Sequence, residues 1–360
     1  MKYHLYAFLI GFVLDLVLGD PKFLYNPTKL IRKLVRSLEK KYLGERPEKN
    51  DKFEEPVEFV KAPPLIGAPK QPKENLDEDR KTARKNGRSM VAIVLVLVYL
   101  VVTIIYFIPY YFNMKAGMIV EAILTYFCLA GKNLMTESLK VEDALDDNDL
   151  IGARTQLATF SRRDTDKLGE VGIIRATVEH VAENTNDHIV APMLYLSLGG
   201  PILGFMYKAI NIMDEEVGYK NSRYRDFGRA AATMDDAAGF FPGRVAAWLM
   251  IVAAFFGGKK LSSKRAVTIY KRDRFNSASS NSGMTTSVCA GAIGIKLFGD
   301  VKYFGQVNKR PYVGDDIKTP EASDISLSTR LMLLTSILAT AMSAGIIWAV
   351  WSAVMTFMVK

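Results

Sequence analysis

The chain has 360 residues, 49% of them hydrophobic, with 47 Lys and Arg against 38 Asp and Glu. The apolar residues come in long uncharged blocks and the charges in separate blocks, which excludes an ordinary soluble domain and marks a membrane protein. The net charge of +9 is met by basic loops beside membrane spans, so no nucleic-acid partner is expected, and the two cysteines, Cys128 and Cys289, show neither metal-ligand nor disulfide spacing.

Leu5 to Leu18 is an apolar run behind Lys2. It ends in Gly-Asp-Pro rather than a small-x-small cleavage site, which predicts a short retained first span carrying Asp15. Lys22 to Arg88 is rich in Lys and Arg and is expected to face the cytoplasm. Residues 1–43 thus form a first span with a basic amphipathic segment. Residues 44–88 are dense in Pro, Lys and Glu and poor in large apolar groups, which predicts a mobile charged insert. Met90 to Phe112 carries no charge and is roughly 34 Å long as a helix, enough to cross the hydrocarbon core. Pro109 is expected to end it, and Ile108 to Gly117 to be a short connection. Met118 to Leu129 then returns with Glu121, which either faces a cavity or partner or lies near the interface. The resulting hairpin occupies 89–131.

Residues 132–188 read as a helical unit on the cytoplasmic side. Leu134, Leu139, Val141, Ala144 and Leu145 recur at helical spacing, and Asp147-Asn148-Asp149 supplies a break and an N-cap for a helix over Leu150 to Phe160. Asp164 or Thr165 is expected to cap a third helix from about Asp166 to Glu183. In 189–328, Ile189 to Phe205 and Val245 to Phe256 are weak span candidates, the first broken by Pro192, Gly199, Gly200 and Pro201. The basic stretches 207–243 and 259–283 favour the same side, so one of the two is expected to be re-entrant or buried without crossing. Leu331 to Val359, within 329–360, is an uncharged last span. No strand-rich region or repeat is evident. The expected fold is all-α, a polytopic transmembrane protein with a cytoplasmic helical subdomain.

Glu179 and Glu183 stand four apart on one helix face, with Asp187 just past the expected helix end. Stacked carboxylates repel and make sense beside a divalent cation or a bound cationic group. They also suit a solvated face or pairing to Arg154, Arg162 or Arg175. His180 and His188 are read as incidental polar residues. The stretch Tyr207 to Arg244 mixes acids, bases and aromatics, a composition for holding a large anionic ligand or for a membrane-surface loop. Asp235 and Asp236 within it could serve Mg²⁺ through water. Asn276 to Gly283 is a run of small polar residues that can present backbone N–H groups to an anion. No Gly-x-x-x-x-Gly-Lys-Ser/Thr occurs, which argues against a P-loop ATPase.

Read in order, these segments resemble the adenosylcobinamide-phosphate synthase (CobD/CbiB) family of cobalamin biosynthesis. The resemblance rests on Leu14-Asp15 through Gly19-Asp20-Pro21, Gly152-Ala153-Arg154, Ser161-Arg162-Arg163-Asp164-Thr165 and Val178-Glu179-His180-Val181-Ala182-Glu183-Asn184-Thr185-Asn186-Asp187. It continues through Tyr207-Lys208-Ala209-Ile210-Asn211, Asp214, Val217-Gly218-Tyr219-Lys220, Arg223-Tyr224, Phe227-Gly228 and Asp235-Asp236. The chain departs from the family pattern at Asn26-Pro27, at His180 and His188, and at Ser279-Ser280-Asn281-Ser282-Gly283, where a proline is lost. The insert at 44–88 is also longer than usual.

The resemblance implies an ATP-dependent carbon–nitrogen ligase at the inner cell membrane, its active-site loops on the cytoplasmic side. It would join a propionate of the corrinoid adenosylcobyric acid to aminopropanol or aminopropanol phosphate. A carboxylate is a poor acceptor for an amine, and ATP with Mg²⁺ would convert it to an acyl phosphate. In that reading Glu179, Glu183 and Asp187 serve the metal and the incoming amine. Asp235 and Asp236 hold a second ion or act as base. Arg162, Arg163, Asn184, Tyr207, Lys208, Asn211, Asp214, Tyr219, Lys220, Arg223 and Asn281 contact phosphate or substrate. The lipid bilayer is a partner, and a homodimer is among the states the sequence allows. Two other classes are an AmpE-like membrane sensor or regulator and a corrinoid-binding scaffold without chemistry.

Overall fold

The structure is a computed structural model that describes the chain except residues 1, 22–24, 47–72, 162, 220, 278, 280, 304–305 and 359–360. Among the described residues it is all-α apart from two short antiparallel strand pairs, and five helical stretches are long and apolar enough to cross a membrane. The protein is a multi-pass membrane protein.

Four helices form a bundle: α1 (Lys2–Leu18), α3 (Lys73–Phe112), α4 (Met114–Cys128) and α12 (Ser323–Met358). α1 and α12 run antiparallel. The Lys2 ammonium lies 5.8 Å from the Trp351 ring at one end, and Phe12, Asp15 and Leu16 share a small cavity with Met332, Leu333 and Ser336 at the other. α3 and α4 are joined at Asn113, whose side chain caps α4 by accepting from the Lys115 and Ala116 amides. α3 passes through Pro109 to Phe112 rather than ending at the proline. The outward faces of the bundle are apolar; Val96, Leu100, Ile104 and Phe107 of α3 are exposed, as a lipid-facing surface requires. Glu121 is fully buried between spans, accepting from Tyr110 and contacting His4, which selects the partner-facing reading of that carboxylate. These contacts fix the Asn113 end of the bundle and, opposite it, the Asp15 end.

At the Asp15 end, α2 (Thr28–Leu43) buries Ile31 and Val35 and turns its basic face toward α8. α3 begins at Lys73, so 73–88 of the expected insert is helix; 47–72 lies outside the described residues. α5 (Gly131–Asp146) and α6 (Leu150–Phe160) follow the expected pattern, with Asp149 accepting from the Gly152 amide at 2.8 Å. α7 runs Glu170–Thr185, starting later than expected. Its N-cap is Gly169 with no side-chain bond, so neither Asp164 nor Thr165 caps it.

α7 does not stop before Asp187. It passes through a π-helical turn, Asn186–Val190, into α8 (Ala191–Val217). Within α8 the chain reverses. Gly200 takes φ +59° and ψ −158°, a region essentially reserved for glycine, and Pro201 opens the second limb. Tyr195 and Tyr207 stack across the two limbs with centroids 5.0 Å apart. The stretch 189–205 is thus a re-entrant hairpin. Its tip at Gly200 reaches Glu121, and its base at Ile189 lies against Gly131 at the Asp15 end.

α9 (Arg229–Phe256), α10 (Ser263–Asp273) and α11 (Ser282–Ile293) complete the helices. Two antiparallel pairs, β1 (Leu297–Phe298) with β4 (Tyr312–Val313) and β2 (Val301–Tyr303) with β3 (Gln306–Asn308), follow. Two apolar cores result. One lies among α1, α3, α4 and the hairpin; the other joins α5–α7 to α9–α11 and the first half of α12.

Candidate active site

The π turn decides where the acidic residues point. A wide turn inserted after Thr185 shifts Asp187 off the Glu179–Glu183 column and toward the returning limb of α8, and such turns recur at functional sites. There Tyr207 donates to Asp187 Oδ1 at 3.5 Å, and Asn186 Nδ2 donates to the same oxygen at 2.7 Å. Asp235 of α9 faces Asp187, Asp214, Asn211 and Asp236. Lys208 is surrounded by Glu215, Cys128 and Asp187. The stretches 179–187 and 207–236 therefore meet at the Asp15 end of the bundle. The polar stretch is mostly helical rather than a loop, since only 218–228 lies between α8 and α9.

The site is marked by buried polar atoms with no protein partner: Lys208 Nζ, Asn186 Oδ1, Asn211 Oδ1 and Asp235 Oδ1. Lys208, Asn186 and Asn211 are 6%, 1% and 4% exposed, so water satisfies them poorly. Leaving each unpaired costs on the order of 1–3 kcal/mol, more for a charged group. One ammonium donor and three oxygen acceptors left open together suit a ligand that both accepts and donates.

Glu179 is placed otherwise than expected. Its Oε2 accepts from Arg163 and its Oε1 accepts from the Phe298 amide at 2.7 Å. Both oxygens of this buried carboxylate are taken, so it ties α7 to the 161–169 connection and to β1 rather than standing open to a metal. Arg163 is correspondingly held by Glu179. Glu183, half-buried, faces Arg163, Glu179, Arg310 and Asp187, which leaves it between the tied pair and the Asp187 centre. Asn184 turns back on its own helix, donating to His180 O at 2.8 Å. His180 lies against the Phe160 ring with centroids 4.6 Å apart, and His188 Nε2 is 3.4 Å from Glu215 Oε1.

Other expected contacts lie beside the centre. Asp236 is exposed, and its carbonyl accepts from Asn281 Nδ2 at 3.0 Å, which docks the start of α11 on α9. Arg223 donates to Gly44 O at 2.8 Å and pairs with Glu39 at 3.6 Å, away from Asp187. Tyr219 packs on Tyr224. Tyr224 donates to Glu39 at 2.5 Å; burial first, and then this carboxylate, push its phenol above the usual range. Arg162 and Lys220 lie outside the described residues.

Sequence reasoning missed Glu215 and its support. Arg32 donates to Glu215 at 2.6 Å and to Glu216 at 2.5 Å, Arg36 donates to Glu216 at 2.9 Å, and Arg46 donates to it at 2.7 Å. This network fastens α2 and its following segment to the base of the hairpin, next to Lys208. The amphipathic basic face of α2 was the available signal.

No solved structure matches the chain. The family described as "CobD/Cbib protein" matches residues 8–332. A cobalamin biosynthesis protein CobD of Clostridium perfringens is 35% identical over 334 residues, covering 92% of this chain and 94% of that protein. A cobalamin biosynthesis protein CobD of Geobacter metallireducens is 43% identical over 217 residues, covering 60% of this chain and 68% of that one. A cobalamin biosynthesis protein CbiB of Salmonella typhi is 42% identical over 226 residues, covering 63% and 70% respectively. With the acidic helix, the Tyr-Lys-Ala-x-Asn limb and Asp235 brought to one place, and with a match along nearly the whole chain, this protein belongs to the CobD/Cbib family.

Proposed function

We propose that the chain acts in cobalamin biosynthesis as an ATP-dependent amide ligase, joining adenosylcobyric acid to aminopropanol or its phosphate at the cytoplasmic face of the inner membrane. The observation that carries this reading is the set of unpartnered buried atoms around Asp187: Lys208 Nζ with the oxygens of Asn186, Asn211 and Asp235. An amine substrate would donate to the Asn186 and Asn211 oxygens. Lys208 would hold a phosphate or carboxylate oxygen as a buried point charge. Asp187, half-buried and already held by Asn186 and Tyr207, is oriented to take a proton from the amine as it attacks.

Among the described residues no group of three or more His, Cys, Asp or Glu is arranged to hold a metal. A magnesium ion that arrives with a nucleotide keeps several waters and needs only one or two protein carboxylates. Asp187 and Asp235 meet that requirement, and the open Oδ1 of Asp235 fits it. Glu179 does not, because its oxygens are occupied, so of the expected set of Glu179, Glu183 and Asp187 we keep Asp187, with Glu183 beside it, and add Asp235. When bound, Mg²⁺ and ATP would supply charge neutralisation and an activated carboxyl group.

The test is the purified protein in lipid, given ATP, Mg²⁺, adenosylcobyric acid and aminopropanol phosphate. A ligase forms one amide per nucleotide consumed. Corrinoid binding without nucleotide consumption would instead make the chain a scaffold.

A further inference from the structure

α9 is long and apolar enough to cross a bilayer, yet both its ends lie at the Asp15 end of the bundle. Just before its start, Arg84 donates to Asp226 at 2.7 Å, and Gly87 packs so closely on the Phe227 carbonyl that a Cβ there would lie 1.9 Å from it. Arg84 and Gly87 lie about three to four turns into α3, in the half away from Asn113. Just after its finish, Gly258 lies beside the Arg330 guanidinium, one turn from the α12 residues that share a cavity with Asp15. A helix of 28 residues is about 42 Å long. With both ends at one level, it runs across the bundle rather than along it.

Its surface fits that placement. Phe241, Trp248, Val252 and Phe255 recur at helical spacing on one face and are 66%, 55%, 43% and 73% exposed. Arg244 sits at the edge of this stripe, its guanidinium 3.4 Å from the Phe240 ring centre and donating to Phe240 O at 2.6 Å. A cation folded along an aromatic at the margin of an apolar stripe is the pattern of helices lying at the headgroup boundary. The opposite face, with Ala246, Met250 and Ala253, is buried. The exposed stripe matches the outward apolar faces of α3 and α12 in character.

We infer that α9 is an interfacial helix lying in the plane of the bilayer. Its Phe241–Trp248–Phe255 stripe is seated in the leaflet at the Asp15 end, and only α1, α3, α4 and α12 cross. The occupant of the stripe is lipid at the headgroup–acyl boundary. The basic stretches 207–243 and 259–283 then lie on one side, with no crossing between them. Because α9 also carries Asp235, the membrane surface supports one wall of the site. This inference does not depend on the ligase reading.

Two measurements test it. Single cysteines at Lys40, Lys115 and Lys259, all exposed, are labelled with a membrane-impermeant maleimide in right-side-out and inverted vesicles; Cys128 and Cys289 are buried and stay silent. The Lys259→Cys variant should label from the same side as Lys40→Cys and from the opposite side to Lys115→Cys. Labelling with Lys115→Cys would overturn the inference. In a Trp348→Phe/Trp351→Phe background, Trp248 fluorescence should be quenched more by lipids brominated near the headgroup than near the chain terminus. Stronger quenching by the deep bromine would mean a crossing helix, and no quenching would mean a protein-covered face; either result overturns it.

Discussion

The rings of Tyr195 and Tyr207 stack with centroids 5.0 Å apart and 15° between their planes. In one straight helix, positions twelve apart would be separated by about 18 Å. The chain therefore doubles back between them, and the reversal brings Tyr207 and Lys208 to Asp187.

The reversal depends on Gly200, whose backbone conformation other residues adopt at a cost of about 1–3 kcal/mol. An added Cβ would meet Glu121 only at 3.6 Å, so the penalty for Gly200→Ala is conformational rather than steric. The variant should lower the thermal midpoint of the detergent-solubilised protein and reduce amide synthesis with it.

Glu179 and Glu183 should separate by readout. Glu179→Gln removes the charge from the buried carboxylate that pairs with Arg163 and accepts from the Phe298 amide, so the thermal midpoint should fall. Glu183→Gln should leave the protein in the membrane at a near-normal midpoint with most synthesis lost. Near-wild-type turnover in Glu183→Gln would remove that residue from the site.

Lys208 carries a buried ammonium with no hydrogen-bond partner, so it costs stability in the free protein. Glu215 keeps Arg32 as a partner when Lys208 is lost. Lys208→Met should leave the thermal midpoint unchanged or raised while synthesis falls at least tenfold. A lowered midpoint with normal activity would make Lys208 structural.

Asp273 gives a pH dependence outside the membrane. Burial works to raise its pKa, but Arg272 and the Gly314 amide at 2.8 Å outweigh this and hold the carboxyl below the usual range. A folded-state pKa below the unfolded one contributes stability above the unfolded value and loses it as pH falls through the folded value. Asp273→Asn should therefore lower the midpoint at neutral pH, by a loss of about 1–3 kcal/mol, and the difference from wild type should shrink in acid. A difference that stays constant with pH would remove the charge from the explanation.

How much could be read from the sequence followed the range of each interaction. α6 was legible to the residue because its cap, Asp149, bonds an amide three positions on. The start of α7 was not, because Asp164 and Thr165 have cap chemistry while the chain becomes helical only after Gly169. The hairpin was half legible: Gly199, Gly200 and Pro201 announced a break, but only packing of Tyr195 on Tyr207 makes it a reversal. For the candidate site, the Val-Glu-x-Val-Ala-Glu-Asn-Thr-x-Asp pattern pointed to the helix that leads into Asp187. It could not distinguish Glu179, tied to an amide 119 positions away, from Asp187, re-aimed by a π turn with no sequence mark. The Arg32–Glu215 pair, 183 positions apart, was out of reach of any local rule.

Turnover by the wild-type protein beside Asp187→Asn, both in lipid with ATP, Mg²⁺, adenosylcobyric acid and aminopropanol phosphate, tests most directly whether the meeting of α7, the hairpin and α9 is a ligase centre. Wild type should form amide in step with nucleotide consumption, and Asp187→Asn should fall about a hundredfold or more with an unchanged thermal midpoint. Equal turnover by the two proteins would contradict it.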